Sequence, residues 1–302
     1  MNNKWIEAMR LRTLPVSIAG VLGGTCIAIA YDCFSWLPAL ICLFFALGAQ
    51  IVSNFANEYF DYKNGLDKPG RAGFRRGVAE GDITPQAMKR ATVALLGVIA
   101  LLGLSLTIWG GPWLIIAGIV ILFGAIAYSG GPWPLSHHGM GDVAVIFFYG
   151  LVPVFFTAVL QANAQDTVWT SCNDQFRLPL WSAALNMGLA VGLMGANVLI
   201  VNNYRDADED KAVNKHTTVV ILGRRVMRTV YLVDWIAADL LISQIVWHNA
   251  GLTFWSGIII FALLQIKLWH RLGHLEGTAL NGLLRSTALL TLGVILWTLF
   301  TT

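Results

Sequence analysis

Two stretches decide how the chain is read: Asn57-Glu58-Tyr59-Phe60-Asp61 and Asn202-Asn203-Tyr204-Arg205-Asp206. Both follow the pattern Asn-x-Tyr-x-Asp, and each stands where a long apolar run gives way to a charged segment. After the first come Lys63, Asp67, Lys68, Arg71, Arg75 and Arg76; after the second come Asp208, Glu209, Asp210, Lys211 and Lys215. Residues four apart are neighbours on a helix surface, so helical flanks set Asn57 and Asp61 on one face and Asn202, Asp206 and Asp210 on another. Two oxygen-bearing faces brought together, with basic groups nearby, make a hard-cation site that suits a magnesium diphosphate.

The composition places these motifs at a membrane. The chain has 302 residues, 56% hydrophobic and 12% charged, with mean hydropathy +0.65. Soluble proteins carry roughly 25% charge. Apolar runs near 14–31, 37–56, 89–109, 112–128, 142–161, 181–201, 226–247, 251–269 and 280–300 are each long enough for a transmembrane helix. The expectation is an all-α polytopic protein with nine transmembrane helices. With the N-terminus inside, nineteen of the 20 Lys and Arg residues fall on inside segments and only Arg177 falls outside. That count puts both motifs at the cytoplasmic face of the cell membrane, the N-terminus in the cytoplasm and the C-terminus outside. The pI near 8.7 is explained by topology and the two loops, so nucleic acid is not an expected partner.

Lys4, Arg10 and Arg12 precede the first apolar run, which is too long for a signal-peptide core and reads as a retained helix. Arg10 and Arg12 taken alone read as topology determinants. Cys26, Cys33, Cys42 and Cys172 show neither metal spacing nor a disulfide pattern. Thr84-Pro85 has the form of a helix cap followed by a first-turn proline, and Pro15 suits the first turn of helix 1. Tyr128-Ser129-Gly130-Gly131-Pro132 reads as a turn. Asp234 and Asp239, inside the seventh run, read as structural, Asp234 near the headgroups and Asp239 paired with a polar group in the bundle, and His270 and His274 as a solvated edge. Each motif follows the second helix of a four-helix block. The chain therefore reads as one domain, 1–302, in which helices 1–4 and 5–8 repeat and helix 9 is added.

Magnesium is usually held by one or two carboxylates plus substrate phosphates, and acids without Cys or a His cluster favour it over zinc. Interleaved Lys and Arg would stabilise a departing diphosphate. The membrane setting explains a lipid tail on the same substrate, and aromatic side chains such as Tyr128 and Tyr149 would shield an allylic cation. A secondary transporter with repeated halves is the reading from another class, but its ion site belongs near the bilayer midplane, and these charges sit at one face.

The chain resembles the UbiA superfamily of intramembrane aromatic prenyltransferases. The resemblance rests on Arg10 to Pro15 (RLRTLP), Asn57 to Arg76 (NEYFDYKNGLDKPGRAGFRR), Gly81 to Arg90 (GDITPQAMKR), Tyr128 to Pro132 (YSGGP) and Asn202 to Thr217 (NNYRDADEDKAVNKHT). It is nearest to the branch that acts on 1,4-dihydroxy-2-naphthoate, chiefly through the DKPGR stretch and YSGGP. The resemblance implies nine helices around a central cavity open to lipid. It implies magnesium on Asn57, Asp61, Asp206 and Asp210, with Asp67 as a further metal or supporting group. Diphosphate contacts would come from Lys68, Arg71, Arg76, Arg205 and Lys215, with Tyr128 near the reacting carbon and Arg12 reaching either the acceptor's carboxylate or the diphosphate. Asp61, Asp206, Arg71, Lys215 and Tyr128 would carry the catalysis. The implied reaction joins a polyprenyl diphosphate to 1,4-dihydroxy-2-naphthoate with loss of carbon dioxide, giving demethylmenaquinone; 4-hydroxybenzoate, homogentisate or a porphyrin are alternative acceptors. The sequence departs from the superfamily's NDxxDxxxD pattern at Glu58 and Gly65, and the next acid is Asp67.

Overall fold

The computed structural model describes residues 4–70, 73–165, 174–246 and 251–301; Arg71, Cys172 and the middle of the 161–179 loop lie outside them. The described elements are α1 (Lys4–Ala8), α2 (Pro15–Ala30), α3 (Trp36–Lys63), α4 (Pro85–Ser105), α5 (Thr107–Gly110), α6 (Leu114–Ala127), α7 (Gly141–Val145), a π-helical turn (Ile146–Leu151), α8 (Val152–Ala164), α9 (Asp174–Ala212), α10 (Thr218–Val246), α11 (Leu252–Leu272) and α12 (Leu280–Thr301). Among the described residues the one β pairing is an isolated bridge between His138 and His216.

Seven helical segments are long and apolar enough to cross a membrane: Trp36–Lys63, Pro85–Gly110, Gly141–Ala164, Leu178–Ala212, Thr218–Val246, Leu252–Leu272 and Gly277–Thr301. The chain is thus an all-helical, multi-pass membrane protein. α2 and α6 are apolar but have 16 and 14 residues. At ~1.5 Å per residue they reach only about 24 and 21 Å, against ~30 Å of hydrocarbon. Apolar side chains point outward, as a lipid-facing surface requires: Leu101, Ile108, Ile116 and Phe123 are each about 70% exposed or more.

Local chemistry sets the helix ends. Pro15 opens α2, where its missing N–H has no helical partner to lose. Thr84 caps α4 by accepting a hydrogen bond from the Ala87 N–H at 3.2 Å, with Pro85 next in the chain. Gly223, at φ 83°, separates the first turn of α10 from its long remainder; a side chain would resist that backbone.

The core forms around α9, which packs on α10, α2, α12, α8 and the π-helical turn. Small residues let these helices approach closely. A Cβ on Gly24 would meet the Val154 carbonyl at 2.5 Å, and one on Gly192 would meet the Ile146 carbonyl at 2.7 Å. The π-helical turn has a local cause in Pro153, at the start of α8. A proline ring opposes the carbonyl four residues back, here Tyr149, and an extra residue in the turn relieves that clash. Phe148 and Tyr149, on this turn, line an interior cavity. Asp239 accepts a hydrogen bond from Gln265 at 3.1 Å, joining α10 to α11 as a structural polar pair. His270 and His274 stack on each other at 4.4 Å, exposed at the end of α11.

Candidate active site

Both Asn-x-Tyr-x-Asp stretches are helical, so the four-residue spacing does place their oxygens on common faces. The first lies in the last two turns of α3 and the second inside α9, which runs on to Ala212. Asp61 is fully buried. Lys215, from the segment after α9, donates to its Oδ2 at 3.2 Å, and the His137 ring stands 3.1 Å from its Oδ1. These contacts tie the two motif regions together across 154 residues of sequence. The linker before α7 supplies the rest of the seam: His216 N–H donates to the His137 carbonyl at 3.1 Å.

Asn57 is held by four neighbours. Its Nδ2 donates to Ser129 Oγ at 2.7 Å and to Asp61 at 3.2 Å, while its Oδ1 accepts from Arg10 and, at 2.9 Å, from Arg76. Arg76 also meets Asp67 at 3.4 Å. Glu58, buried beside them, accepts from the Val78 N–H at 2.9 Å and so fastens the 73–83 loop to α3. On the second motif Arg205 grips Asp206 at 2.6 and 2.8 Å, Asn202 at 2.8 Å and Asn281 at 2.7 Å. Its guanidinium lies 5.5 Å from the centre of the Phe74 ring, and Arg10 and Arg12 flank the same ring at 5.9 and 6.0 Å.

These residues enclose a polar chamber of ≈ 1020 Å³, its open mouth included, lined by Arg10, Asn57, Arg76, Asn202, Asp206, Asp210 and Lys215 among others. A second chamber, ≈ 970 Å³ and mostly apolar, runs between α3, α4, α6 and α8 past Phe45, Ala46, Ile121, Phe148 and Phe156 to Leu160. Gln50, Ser53, Tyr128 and Tyr149 line both. An amphipathic molecule with a polyanionic head and a hydrocarbon tail fits the pair of chambers, its head among cations and its first bonds at the junction.

Among the described residues no three His, Cys, Asp or Glu side chains converge as a self-sufficient metal site. The donors facing the polar chamber are oxygens, from Asn57, Asp206 and Asp210, with Asp61 beside them. A few oxygen donors that need phosphate to complete the shell match magnesium. Of the residues singled out in the sequence, the fold brings together Asn57, Asp61, Asp206, Asp210, Arg76, Lys215 and Tyr128. Arg205 sits behind Asp206, Asp67 behind Arg76, and Lys68 and Arg12 are exposed; Arg71 lies outside the described residues. Ser129, His137 and Arg10 enter as unanticipated neighbours. YSGGP and RLRTLP carried the signal for Ser129 and Arg10, whereas His137 had none.

Comparison with known proteins agrees with this architecture. The UbiA prenyltransferase family matches residues 17–287. The chain is 36% identical over 225 residues to the 1,4-dihydroxy-2-naphthoate octaprenyltransferase of Escherichia coli, covering 72% of this chain and 68% of that one. It is 32% identical over 266 residues to the enzyme of the same name from Mycobacterium tuberculosis, covering 88% and 80%. Its fold is that of a UbiA homolog from Archaeoglobus fulgidus bound to DMAPP and Mg2+, with TM-score 0.65 at 12% identity over 99% of each chain. A UbiA homolog from Aeropyrum pernix gives TM-score 0.66 at 16% identity, covering 95% and 94%. With its family matched over most of its length, and its two helical motifs closing one chamber, the chain belongs to the UbiA prenyltransferases.

Proposed function

We propose that this prenyltransferase moves a polyprenyl group from its diphosphate to 1,4-dihydroxy-2-naphthoate with loss of carbon dioxide. The observation that carries the reading is the meeting of the polar and apolar chambers at Gln50, Ser53, Tyr128 and Tyr149. The names of the relatives supply the acceptor. In this reading Asn57, Asp61, Asp206 and Asp210 hold magnesium together with the diphosphate. Bound there, the metal would neutralise charge on the leaving diphosphate.

The chain's own residues do the remainder. Lys215 and Arg76, both lining the polar chamber, hold the phosphate oxygens. Arg205 keeps Asp206 aimed by filling its own donors on Asp206, Asn202 and Asn281. Tyr128 and Tyr149 lie where the C–O bond breaks, and their ring faces steady a developing allylic cation. The C–O electron pair leaves with the diphosphate. The ring carbon bonds to the prenyl carbon, and the pair freed by departing carbon dioxide restores aromaticity. No oxidant is consumed, so the product leaves as the quinol form of demethylmenaquinone.

The same reading makes α2 and α6 membrane-crossing like the seven longer segments, giving nine spans as two repeated halves plus α12. It places the polar chamber at the cytoplasmic face of the plasma membrane, with lipid around the bundle. The acceptor is tested by competition: unlabelled 1,4-dihydroxy-2-naphthoate should suppress transfer to 4-hydroxybenzoate, homogentisate or a porphyrin, and preference for any of these would reassign it. The tail's path is tested by Ala46→Phe, in the apolar chamber one helical turn from Gln50. Overpacking by ~1–3 kcal/mol should lower kcat/KM about tenfold for a long-chain donor, and much less for dimethylallyl diphosphate. Equal effects on both donors would place the tail elsewhere.

A further inference from the structure

Arg10 has a backbone that only a heavily constrained turn would hold. Its φ is 52°, one of three non-glycine residues with positive φ among those described, a conformation that recurs where side chains are held for function. The turn between α1 and α2 fixes it from both sides. The Arg10 N–H donates to the Glu7 carbonyl at 3.0 Å, and the Arg10 carbonyl accepts from the Thr13 N–H at 3.0 Å and Thr13 Oγ1 at 2.9 Å. Thr13 is in turn held by Gln50, whose Nε2 donates to the Thr13 carbonyl at 3.1 Å. The backbone thus carries the side chain across to α3, where one Nη donates to Asn57 and the guanidinium lines the polar chamber.

What remains unfilled is the Nε. It is buried and has no hydrogen-bond partner. A buried cationic donor without an acceptor is costly, and here it lies in a chamber wall. Arg205, by contrast, spends its nitrogens on Asp206, Asn202 and Asn281, and Lys215 is bonded to Asp61. Arg10 is also tied through Thr13 to Gln50, a residue of the junction between the chambers. Arg10 lines the same chamber as Tyr128 and Tyr149 of that junction. The head of the donor is met by the motif faces; the second reactant has to reach the prenyl carbon at the junction.

We infer that Arg10 is the specificity-determining cation that binds the carboxylate of the aromatic acceptor and sets its ring against the prenyl carbon. The inference rests on the prenyl-transfer reading above, and it assigns the acceptor contact to Arg10 in place of Arg12, which is exposed above Phe74. Arginine suits the task because its planar donors match a carboxylate.

The test compares the full-length wild type, Arg10→Gln and Arg10→Lys with two acceptors, 1,4-dihydroxy-2-naphthoate and 1,4-dihydroxynaphthalene, which lacks the carboxylate. Arg10→Gln should raise KM for the carboxylated acceptor about tenfold or more, the scale of a lost charged hydrogen bond, with donor KM within about twofold. Arg10→Lys, which keeps the charge, should fall between, and it serves if the glutamine variant folds poorly. Losing the arginine and losing the carboxylate should not add, so the two together cost little more than either alone. A rise in donor KM, or an equal loss with both acceptors, would overturn the assignment and give Arg10 to the diphosphate. A wild type that binds donor yet transfers nothing to the carboxylated acceptor would overturn the acceptor reading and this inference with it.

Discussion

Asp61→Ala and Asp206→Ala are each expected to lower turnover by about 10²-fold or more, the scale of a lost electrostatic contribution at a reacting centre, while the protein still inserts and purifies. The two variants reach this result by different routes. Asp61 is fully buried beneath the polar chamber and collects Lys215, His137 and Asn57, so its loss frees the cation and the amide that complete the chamber wall. Asp206 lines the chamber itself, clamped from behind by Arg205. Asp206→Asn should therefore retain the clamp's shape but not the charge, and stay inactive. Turnover in membranes and in detergent checks both. Wild-type rates from both alanine variants would remove the two motifs from the chemistry.

Lys215→Met is expected to lose activity and stability together. Its ammonium is the partner of a carboxylate with no exposed surface, at 3.2 Å. Stranding a buried charge costs about 3–5 kcal/mol, and the phosphate contact is lost as well, so turnover should fall about 10²-fold. Adding Asp61→Asn should restore part of the lost thermal stability without restoring turnover, because it removes the stranded charge but not the missing cation. A Lys215→Met protein that melts and turns over like the wild type would contradict the placement of Lys215 between the motifs.

Much of this was legible because it follows from local rules. The four-residue spacing of Asn57 and Asp61 needed only a helix, and α3 supplies it. The Thr84-Pro85 cap and the Pro15 start are properties of a few adjacent atoms, and both appear where the sequence put them. Asp239, half-buried, has a bundle partner in the buried Gln265. Family membership also sets aside the transporter reading.

The rest depended on long-range packing. Apolar runs do not show that α9 continues through the second motif to Ala212, because a helix can outlast its hydrophobic stretch. They also overstate α2 and α6, whose regular helix is shorter than the run containing it. In the sequence the Gly/Pro turn after α6 reads only as a turn, yet Ser129 secures Asn57 and the linker beyond it brings His137 to Asp61. As topology signals Arg10 and Arg12 are equivalent; the left-handed backbone at Arg10 sends it into the chamber, and Arg12 is exposed.

The most direct test of the central claim is product formation by the purified protein with a polyprenyl diphosphate and 1,4-dihydroxy-2-naphthoate, in magnesium and then in EDTA, read by mass spectrometry. A prenylated, decarboxylated naphthoquinol that forms with magnesium and vanishes with EDTA is the expected result. Unchanged product in EDTA would contradict the metal reading of the two motifs, and the absence of transfer to any aromatic ring by folded protein would contradict the account as a whole.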